Sequence, residues 1–414
     1  MQPDDRHSCP SLEAPEAERA LVHPQILGQL REEHYAGSVP EPRAGVHVPA
    51  LRSHATKRRE VVQFPPDRHV WRSIFMPRTF RVFRGYIHAV GLKPDGDTLA
   101  FKPHNSAAIA ALPGPDGAPG AVSFDANTNG AVDVRLQGID ALETHFQPAV
   151  GDPKPPGATA PVGVNKPSAG NHQQRLDLSR GAANTLLGML GIDVTNADWH
   201  AWGYLNRVTV GGVVVAAKFQ ENVEIVVVAN AVEREGRVLG WIFPGSVALA
   251  DGQTLTEAAL AALVKQSCNA RMLAAGLAYP YYFMTLATAL RAKLNTAVGA
   301  AQKAQRGVWA VDTSAVGVAI PTLTALHGSV ALLPYLFRKL LRSWRLAALK
   351  AYWSGGDVSD AALEVLDVGR LFDSGNPYVY TVSDRQFLRL DELISVSGGV
   401  LKLSRKPQDI VFLE

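Results

Sequence analysis

The feature that most constrains this chain is the order of its apolar patterns from Thr79 onward. Val132, Val134 and Leu136 alternate with charged or amide side chains, which predicts a strand with one apolar and one polar face. Further strands are predicted at 80–90, 98–101, 223–228 and 238–243, and helices at 176–190, 256–264 and 286–303. Strands, a helix, more strands and then helices are typical of an α+β fold with a barrel-like sheet.

The composition is that of a folded protein. Hydrophobic residues make up 47% of the chain and charged residues 19%, which excludes a wholly disordered chain. Because 41 Lys and Arg face 38 Asp and Glu, the net charge is only +3, and a basic surface for nucleic acid must be local. The two cysteines, Cys9 and Cys268, exclude a disulfide framework.

We expect neither a secretory signal nor a membrane span. The first thirty residues are rich in acids and contain no long apolar run. Two uncharged stretches, 272–290 and 313–337, are interrupted by Gly, Pro and polar residues, whereas a spanning helix needs about twenty mostly apolar residues. The sequence therefore predicts a cytoplasmic protein.

Changes in composition divide the chain into three predicted parts. Residues 1–75 are Pro-rich and mixed in charge, which predicts a poorly ordered arm, with one short helix at 20–33. The patterned part at 76–312 is the predicted folded domain. Residues 313–414 are predicted to form an appendix with one amphipathic helix and a small sheet.

The predicted helix at 334–352 has two open interpretations. Phe337 and Leu341 lie on one face, whereas Arg338, Arg342 and Arg345 lie beside one another on another face. Either the apolar face packs on the barrel, or the arginines bind DNA, RNA or an anionic membrane surface.

One motif suggests a calcium loop but does not satisfy its pattern. The stretch 125–130, Asp-Ala-Asn-Thr-Asn-Gly, matches the opening of a helix–loop–helix calcium site. Such a loop needs a bidentate Glu at its twelfth position, and Leu136 stands there. The stretch is therefore predicted to be a turn.

A stronger set of residues is spread over three segments: Asp95-Gly96-Asp97-Thr98, the run from Arg135 to Thr144, and Gly236-Arg237. These segments contain the groups that phosphodiester hydrolysis needs. Aspartates are hard oxygen ligands for a divalent cation, and a glutamate can activate water. Arginines hold a phosphate with paired N–H donors and stabilise charge on its oxygens.

In order and spacing these segments resemble the thermonuclease, or staphylococcal nuclease-like, family. The resemblance covers residues ~78–312 and includes the later segments Gly240–Phe243, Thr256–Leu260, Gly276–Tyr279 and Arg306–Trp309. It implies a five-stranded oligonucleotide-binding-fold-like barrel with packed helices. It also implies a calcium-dependent nuclease that cleaves DNA or RNA and leaves 3′-phosphate and 5′-hydroxyl ends.

The resemblance also implies a role for each matching residue. Asp97, Asp140 and the main-chain carbonyl of Ala141 correspond to the calcium ligands, and Glu143 to the general base. The phosphate-binding arginines correspond to Arg135 and Arg237, and a nucleotide-contacting tyrosine to Tyr281 or Tyr282.

The sequence departs from the family pattern at three residues and by insertions at 104–130, 147–171 and 191–220, the first two of which are predicted to be loops. Ala141-Leu142 replaces Thr-Pro, and Glu235 replaces an aromatic residue. These departures bear on rate and substrate choice. An alternative therefore stays open, in which an inactive nuclease-like barrel binds nucleic acid or protein.

Overall fold

The computed structural model describes residues 78–114, 122–125, 128–147, 172–319, 323–353, 371–372 and 375–413. The predicted arm at 1–75 and residues 148–171 of the long predicted loop lie outside this described part. All of the described residues belong to one compact unit.

The strands begin and end close to the predicted positions where the sequence has a clear apolar pattern. Up to Pro244 they are β1 (Thr79–His88), β2 (Thr98–Pro103), β3 (Phe124–Asp125), β4 (Ala131–Leu136), β5 (Ile139–Ala141), β6 (Asp193–Trp199), β7 (Leu205–Val210), β8 (Val213–Val215), β9 (Glu224–Val232) and β10 (Val238–Pro244). The later strands are β11 (Thr254–Thr256), β12 (Ala278–Pro280), β13 (Tyr282–Phe283), β14 (Val318–Ala319), β15 (Tyr378–Thr381), β16 (Gln386–Arg389), β17 (Ile394–Ser397), β18 (Val400–Leu403) and β19 (Ile410–Phe412).

The helices likewise follow the predicted ones, with additions. They are α1 (Ser106–Ala110), α2 (Leu176–Met189), α3 (Glu257–Leu263), α4 (Cys268–Ala275), α5 (Thr288–Lys303), α6 (Leu323–Gly328) and α7 (Pro334–Trp353). Helix α4 begins before the uncharged stretch at 272–290 and contains Arg271, and the sequence analysis does not predict it. Its N-terminus is capped by Ser267, whose side chain accepts from the amide of Ala270 at 3.2 Å.

Five strands form a closed barrel, so the predicted α+β barrel is confirmed. Strand β1 pairs antiparallel with β2 and β9, β2 pairs antiparallel with β4, and β9 pairs antiparallel with β10. Parallel pairing of β10 with β4 closes the ring. Inside the barrel, Val132, Val134 and Leu136 are at most 1% exposed, as their alternation predicts.

Asn269 on α4 holds the barrel closed from outside. Its Nδ2 donates to the carbonyl oxygens of Gln137 (2.9 Å) and Gly240 (3.0 Å), and its Oδ1 accepts from the amide of Ile242 at 3.0 Å. The side chain is fully buried, and its replacement by an apolar residue would leave these three main-chain groups without their partner. The amide thus joins β10 to the chain that follows β4.

Two glycines position the turns that carry the candidate site. Gly138 has φ +83 between β4 and β5, a left-handed conformation that glycine adopts without strain. At Gly96 a Cβ atom would lie 2.6 Å from the Cβ of Ala141, so only glycine allows the two turns to touch. The Asp-Gly-Asp turn and β5 can therefore pack directly against each other.

Two of the insertions contain regular secondary structure that the sequence analysis does not predict. The stretch 104–130, expected to be loop, contains α1 and β3, and Asn105 caps α1 by accepting from the amide of Ala108 at 3.0 Å. The insertion at 191–220 contains the three-stranded sheet β6–β7–β8. Many of its side chains are exposed, including Val213 and Val214, so it lacks a sustained alternation of apolar and polar residues.

The region after residue 312 packs on the barrel domain. Strand β19 pairs in parallel with β13, and β15 and β16 extend this sheet, while β14, β18 and β17 form another. On α7, Leu336, Phe337 and Leu341 are fully buried, so the interpretation of this helix as a packed one is the one the structure supports. The predicted boundary at 312 stays a prediction.

Candidate active site

Five of the eight predicted site residues line one cleft of about 900 Å³ beside the barrel, and Asp140, Ala141 and Tyr282 do not. Asp97, Arg135, Glu143, Arg237 and Tyr281 all line it. They come from distant segments of the sequence and meet only in the folded chain.

Arg135 joins the two predicted calcium carboxylates. Its Nη1 donates to Oδ1 of Asp97 at 3.1 Å, and its Nη2 donates to Oδ1 of Asp140 at 2.6 Å. Asp97 directly precedes β2, where Thr98 stands opposite Arg135 on β4, and Asp140 lies on β5. The other oxygen of Asp97 accepts from the amide of Ala141 at 2.7 Å. The two carboxylates therefore converge on a single guanidinium group.

A third arginine, which the sequence analysis placed on an exposed or DNA-binding face, also enters this network. Arg338 of α7 donates through Nη1 to Oδ1 of Asp140 (3.0 Å) and through Nη2 to its Oδ2 (2.9 Å), and Nη1 also donates to Oε1 of Glu143. Its side chain is 17% exposed, and Asp140 is fully buried. Of the two open interpretations of this helix, the one in which the arginines form a free basic face does not fit Arg338, because Asp140 and Glu143 bind its guanidinium.

The surroundings of the carboxyl groups in this network shift their pKa values in different directions. Burial raises the pKa of Asp140, but the attraction of Arg338 and Arg135 outweighs burial and holds that pKa below its ordinary value. Burial raises the pKa of Glu143 above its ordinary value, although Arg338 opposes this shift. The pKa of Asp95 lies well above its ordinary value, because the group is buried near the charges of Glu143 and Asp97.

Arg237 reaches the same cleft from the turn between β9 and β10. Its Nε donates to Oε1 of Glu233, which holds the guanidinium at the cleft wall. Burial raises the pKa of Glu233, against the attraction of Arg237 and Arg135. Glu235, the predicted departure from the family pattern, also lines the cleft. Arg237, the second predicted phosphate-binding arginine, is thus paired with Glu233 and shares the cleft with Glu235.

Of the two predicted tyrosines, Tyr281 faces the cleft. Its ring packs against Phe412 with the ring centroids 4.7 Å apart, and the guanidinium carbon of Arg135 lies 5.9 Å from the Tyr281 ring centroid. Tyr282 is fully buried and donates its hydroxyl to Oδ1 of Asn295 at 2.8 Å. A role in contacting substrate therefore fits Tyr281 and does not fit Tyr282.

The carboxylates retain limited capacity for a metal ion. A carboxylate has about four lone-pair sites. Oδ1 of Asp97 accepts from Arg135 and Thr98, and its Oδ2 accepts only from Ala141. Oδ1 of Asp140 accepts twice, and its Oδ2 accepts only from Arg338. Among the described residues each carboxylate therefore keeps one oxygen with a single hydrogen-bond donor, but both carboxylates are already paired with arginine, so a calcium ion would compete with Arg135 and Arg338 for them.

In the described part of the chain, no group of three or more His, Cys, Asp or Glu side chains is arranged to hold a metal ion. The predicted third ligand is the main-chain carbonyl of Ala141, which is not a side chain. Calcium binding therefore stays a prediction. Of the alternative calcium loop, Asp125 lies on β3, and Leu136 at the twelfth position is a buried residue of β4.

The cleft extends beyond the residues that the sequence analysis singled out. Lys93, Lys218, His145 and Tyr204 line it as well. The ammonium of Lys93 lies 4.6 Å from the ring centroid of Tyr204, which is 41% exposed. Burial and the nearby charge of Lys93 lower the pKa of His145 to about 4, so His145 is neutral at neutral pH. A lysine beside an exposed aromatic ring thus belongs to the cleft, and the spacing of residues along the sequence does not reveal this pair.

No protein-family model matches this chain, and the comparison with curated proteins gives no match. Within the described ranges, no helix has the length and apolar character needed to cross a membrane.

Proposed function

We propose that this chain is a calcium-dependent phosphodiesterase that hydrolyses DNA or RNA, on a barrel of the oligonucleotide-binding-fold type. One observation carries the proposal: Asp97, Arg135, Asp140 and Glu143 belong to one hydrogen-bonded network, which Glu143 joins through Arg338, at a cleft that Arg237 and Tyr281 also line. The same residues carry the resemblance to the staphylococcal nuclease-like family. Unrelated surface charges have no reason to converge in this way.

Each residue in the proposed site has chemistry that suits its role. Glu143 has one oxygen held by Arg338, and its raised pKa makes it a stronger base for a proton from the attacking water. Arg135 uses two of its five N–H donors on carboxylates, so others remain for a phosphate oxygen. Asp97, Asp140 and the carbonyl of Ala141 would hold calcium, which would supply positive charge to polarise the phosphate.

Charge neutralisation of the phosphate would involve two arginines that line the cleft. Arg135 lies within the network, and Arg237 stands on the wall with Glu233 as its partner. A phosphate between them would compete with Glu233 for the guanidinium of Arg237.

A second candidate function is an inactive barrel that binds nucleic acid or protein. Arg338 favours it, because its guanidinium is bound to Asp140 and Glu143, two of the groups that hydrolysis would need. The two candidates differ in one outcome. An inactive barrel would shift labelled DNA or RNA in a gel without cutting it.

The test is cleavage of supercoiled plasmid, single-stranded DNA and RNA with calcium or with EDTA. We expect cleavage with calcium only and products with 3′-phosphate ends. Glu143→Gln should lower turnover by about 10²–10⁴-fold. Glu257→Gln, on α3 and outside the residues that line the cleft, is the matched control and should leave turnover unchanged. Binding without cleavage of any of the three substrates would refute the proposal.

A further inference from the structure

Helix α7 brings a charged side chain to the two carboxylates that matter most in the proposed reaction. Arg338 contacts both oxygens of Asp140 and one oxygen of Glu143 through its two terminal nitrogens. A planar guanidinium can bond two carboxylates at once in a fixed geometry, whereas an ammonium is a point charge. The contact therefore sets the orientation of both side chains.

The helix that carries Arg338 is anchored in the core. Leu336, Phe337 and Leu341 are fully buried, so α7 cannot leave the barrel without exposing three large apolar side chains. Burial of each such side chain stabilises the folded state by about 1.5–3 kcal/mol. A helix held in this way is a fixed wall of the cleft and does not have the properties of a detachable lid.

A buried glutamine also ties the start of α7 to the segment of Glu143. Gln174 donates through Nε2 to the carbonyl of Leu332 at 2.8 Å, and its Oε1 accepts from the amide of Glu143 at 3.3 Å. Its own amide donates to the carbonyl of Glu143 at 2.8 Å. Main chain and side chain of Glu143 are thus both held by groups connected to α7.

The bonding pattern leaves Glu143 prepared for proton transfer. Arg338 occupies Oε1, and no hydrogen bond from the described residues reaches Oε2. A carboxylate with one oxygen fixed and the other free has a defined direction in which it accepts a proton. Catalytic groups need such support from neighbouring residues to hold their productive geometry.

We infer that Arg338 is a positioning residue of the phosphodiesterase proposed above, which orients Glu143 and Asp140, and that α7 is part of the active site. The inference rests on the proposed function. This inference gives the C-terminal region a role in the reaction itself, whereas the sequence suggests that the region packs on the barrel or binds nucleic acid.

The test compares kcat and KM for Arg338→Met, Arg338→Lys and a matched control, Arg84→Met. Arg84 lies outside the cleft and makes a similar two-pronged pair with Glu224, at 3.1 Å and 2.8 Å. Arg338→Met should lower kcat by about 10–100-fold, as loss of an orienting partner does, with KM within about threefold. Arg338→Lys keeps the charge without the fork and should recover part of kcat. The control should keep both constants.

Circular dichroism at the assay temperature verifies that each variant is folded. If Arg338→Met does not fold, the constants of Arg338→Lys are compared with those of Arg84→Lys instead. Unchanged kcat in the folded Arg338 variants would overturn the inference while the proposed function stands. Higher kcat would overturn it in favour of an inhibitory contact. A wild-type protein that cleaves no substrate would refute the proposed function, and this inference with it.

Discussion

Replacement of Arg338 by methionine measures how strongly the buried carboxylates depend on that arginine. Asp140 is fully buried and keeps only Arg135 as a charged partner when Arg338 is lost. Removal of one partner from a buried ion pair costs about 3–5 kcal/mol, because it leaves an uncompensated charge. In a domain of this size such a loss lowers Tm by about 6–20 °C.

A double-mutant cycle separates this coupling from other effects of the substitution. Arg338→Met, Asp140→Asn and the double variant are unfolded with urea in the presence of EDTA and followed by circular dichroism. We expect a coupling energy of about 2–3 kcal/mol, because each single substitution removes one member of the buried Arg338–Asp140 pair and leaves the other with fewer charged partners. The pair of Arg84 and Glu224, with side chains 20% and 38% exposed, is the control and should couple by about 1 kcal/mol or less.

The coupling should also depend on pH in a definite direction. The folded-state pKa of Asp140 is lowered, so its stabilising contribution is complete above the ordinary carboxyl range. It is lost as the pH falls through the folded-state pKa and Asp140 becomes protonated. A coupling no larger than that of the control pair at neutral pH would refute the view that Arg338 is an integral part of the site.

Three further substitutions test other parts of the site. Asp97→Ala should abolish calcium-dependent cleavage. It should also lower Tm, because the amide of Ala141 loses its acceptor. A raised Tm, which relief of charge repulsion alone would give, would contradict the importance of this contact. Asp95→Asn should raise Tm at neutral pH by about 2–4 °C for each kcal/mol of repulsion relieved. Because the folded-state pKa of Asp95 is raised, this gain should vanish at a pH below the ordinary carboxyl range. Arg237→Ala should lower turnover by about 10²–10³-fold in a cleavage assay, and near-full activity would remove it from the site.

The sequence predicts the barrel well because its strands are regular and half-buried. In β4 the alternation of Val132, Val134 and Leu136 with polar residues corresponds directly to an inner and an outer face. The sheet β6–β8 escapes prediction because it is largely exposed and its two buried side chains, Leu205 and Val208 of β7, stand three positions apart and do not alternate as in a half-buried strand. Helix α4 has no charged residue except Arg271, so its amphipathic period is weak.

The candidate site is predictable only in part. Motif spacing identifies Asp97, Arg135, Asp140 and Glu143, which the structure brings together. Arg338 cannot be found in this way, because it stands nearly two hundred residues from Asp140 along the chain. The helical pattern shows that Arg338 is on a different face of the helix from Phe337. It does not show that this face, which borders the buried face, lies beside acidic residues of another segment.

Because α7 completes the cleft wall, the order of synthesis has a consequence for when the site exists. Translation delivers β1 to β10, and so every strand of the barrel, well before Arg338. A nascent chain that has already folded its barrel has Arg135 beside Asp140 but still lacks Arg338, the second partner of Asp140 and the partner of Glu143. The partner strand of β13, residues Ile410–Phe412, emerges later still. The assembled cleft is therefore a late event, and a chain that stops short of α7 holds a barrel in which Arg135 alone pairs with Asp97 and Asp140 and Glu143 lacks the arginine of α7.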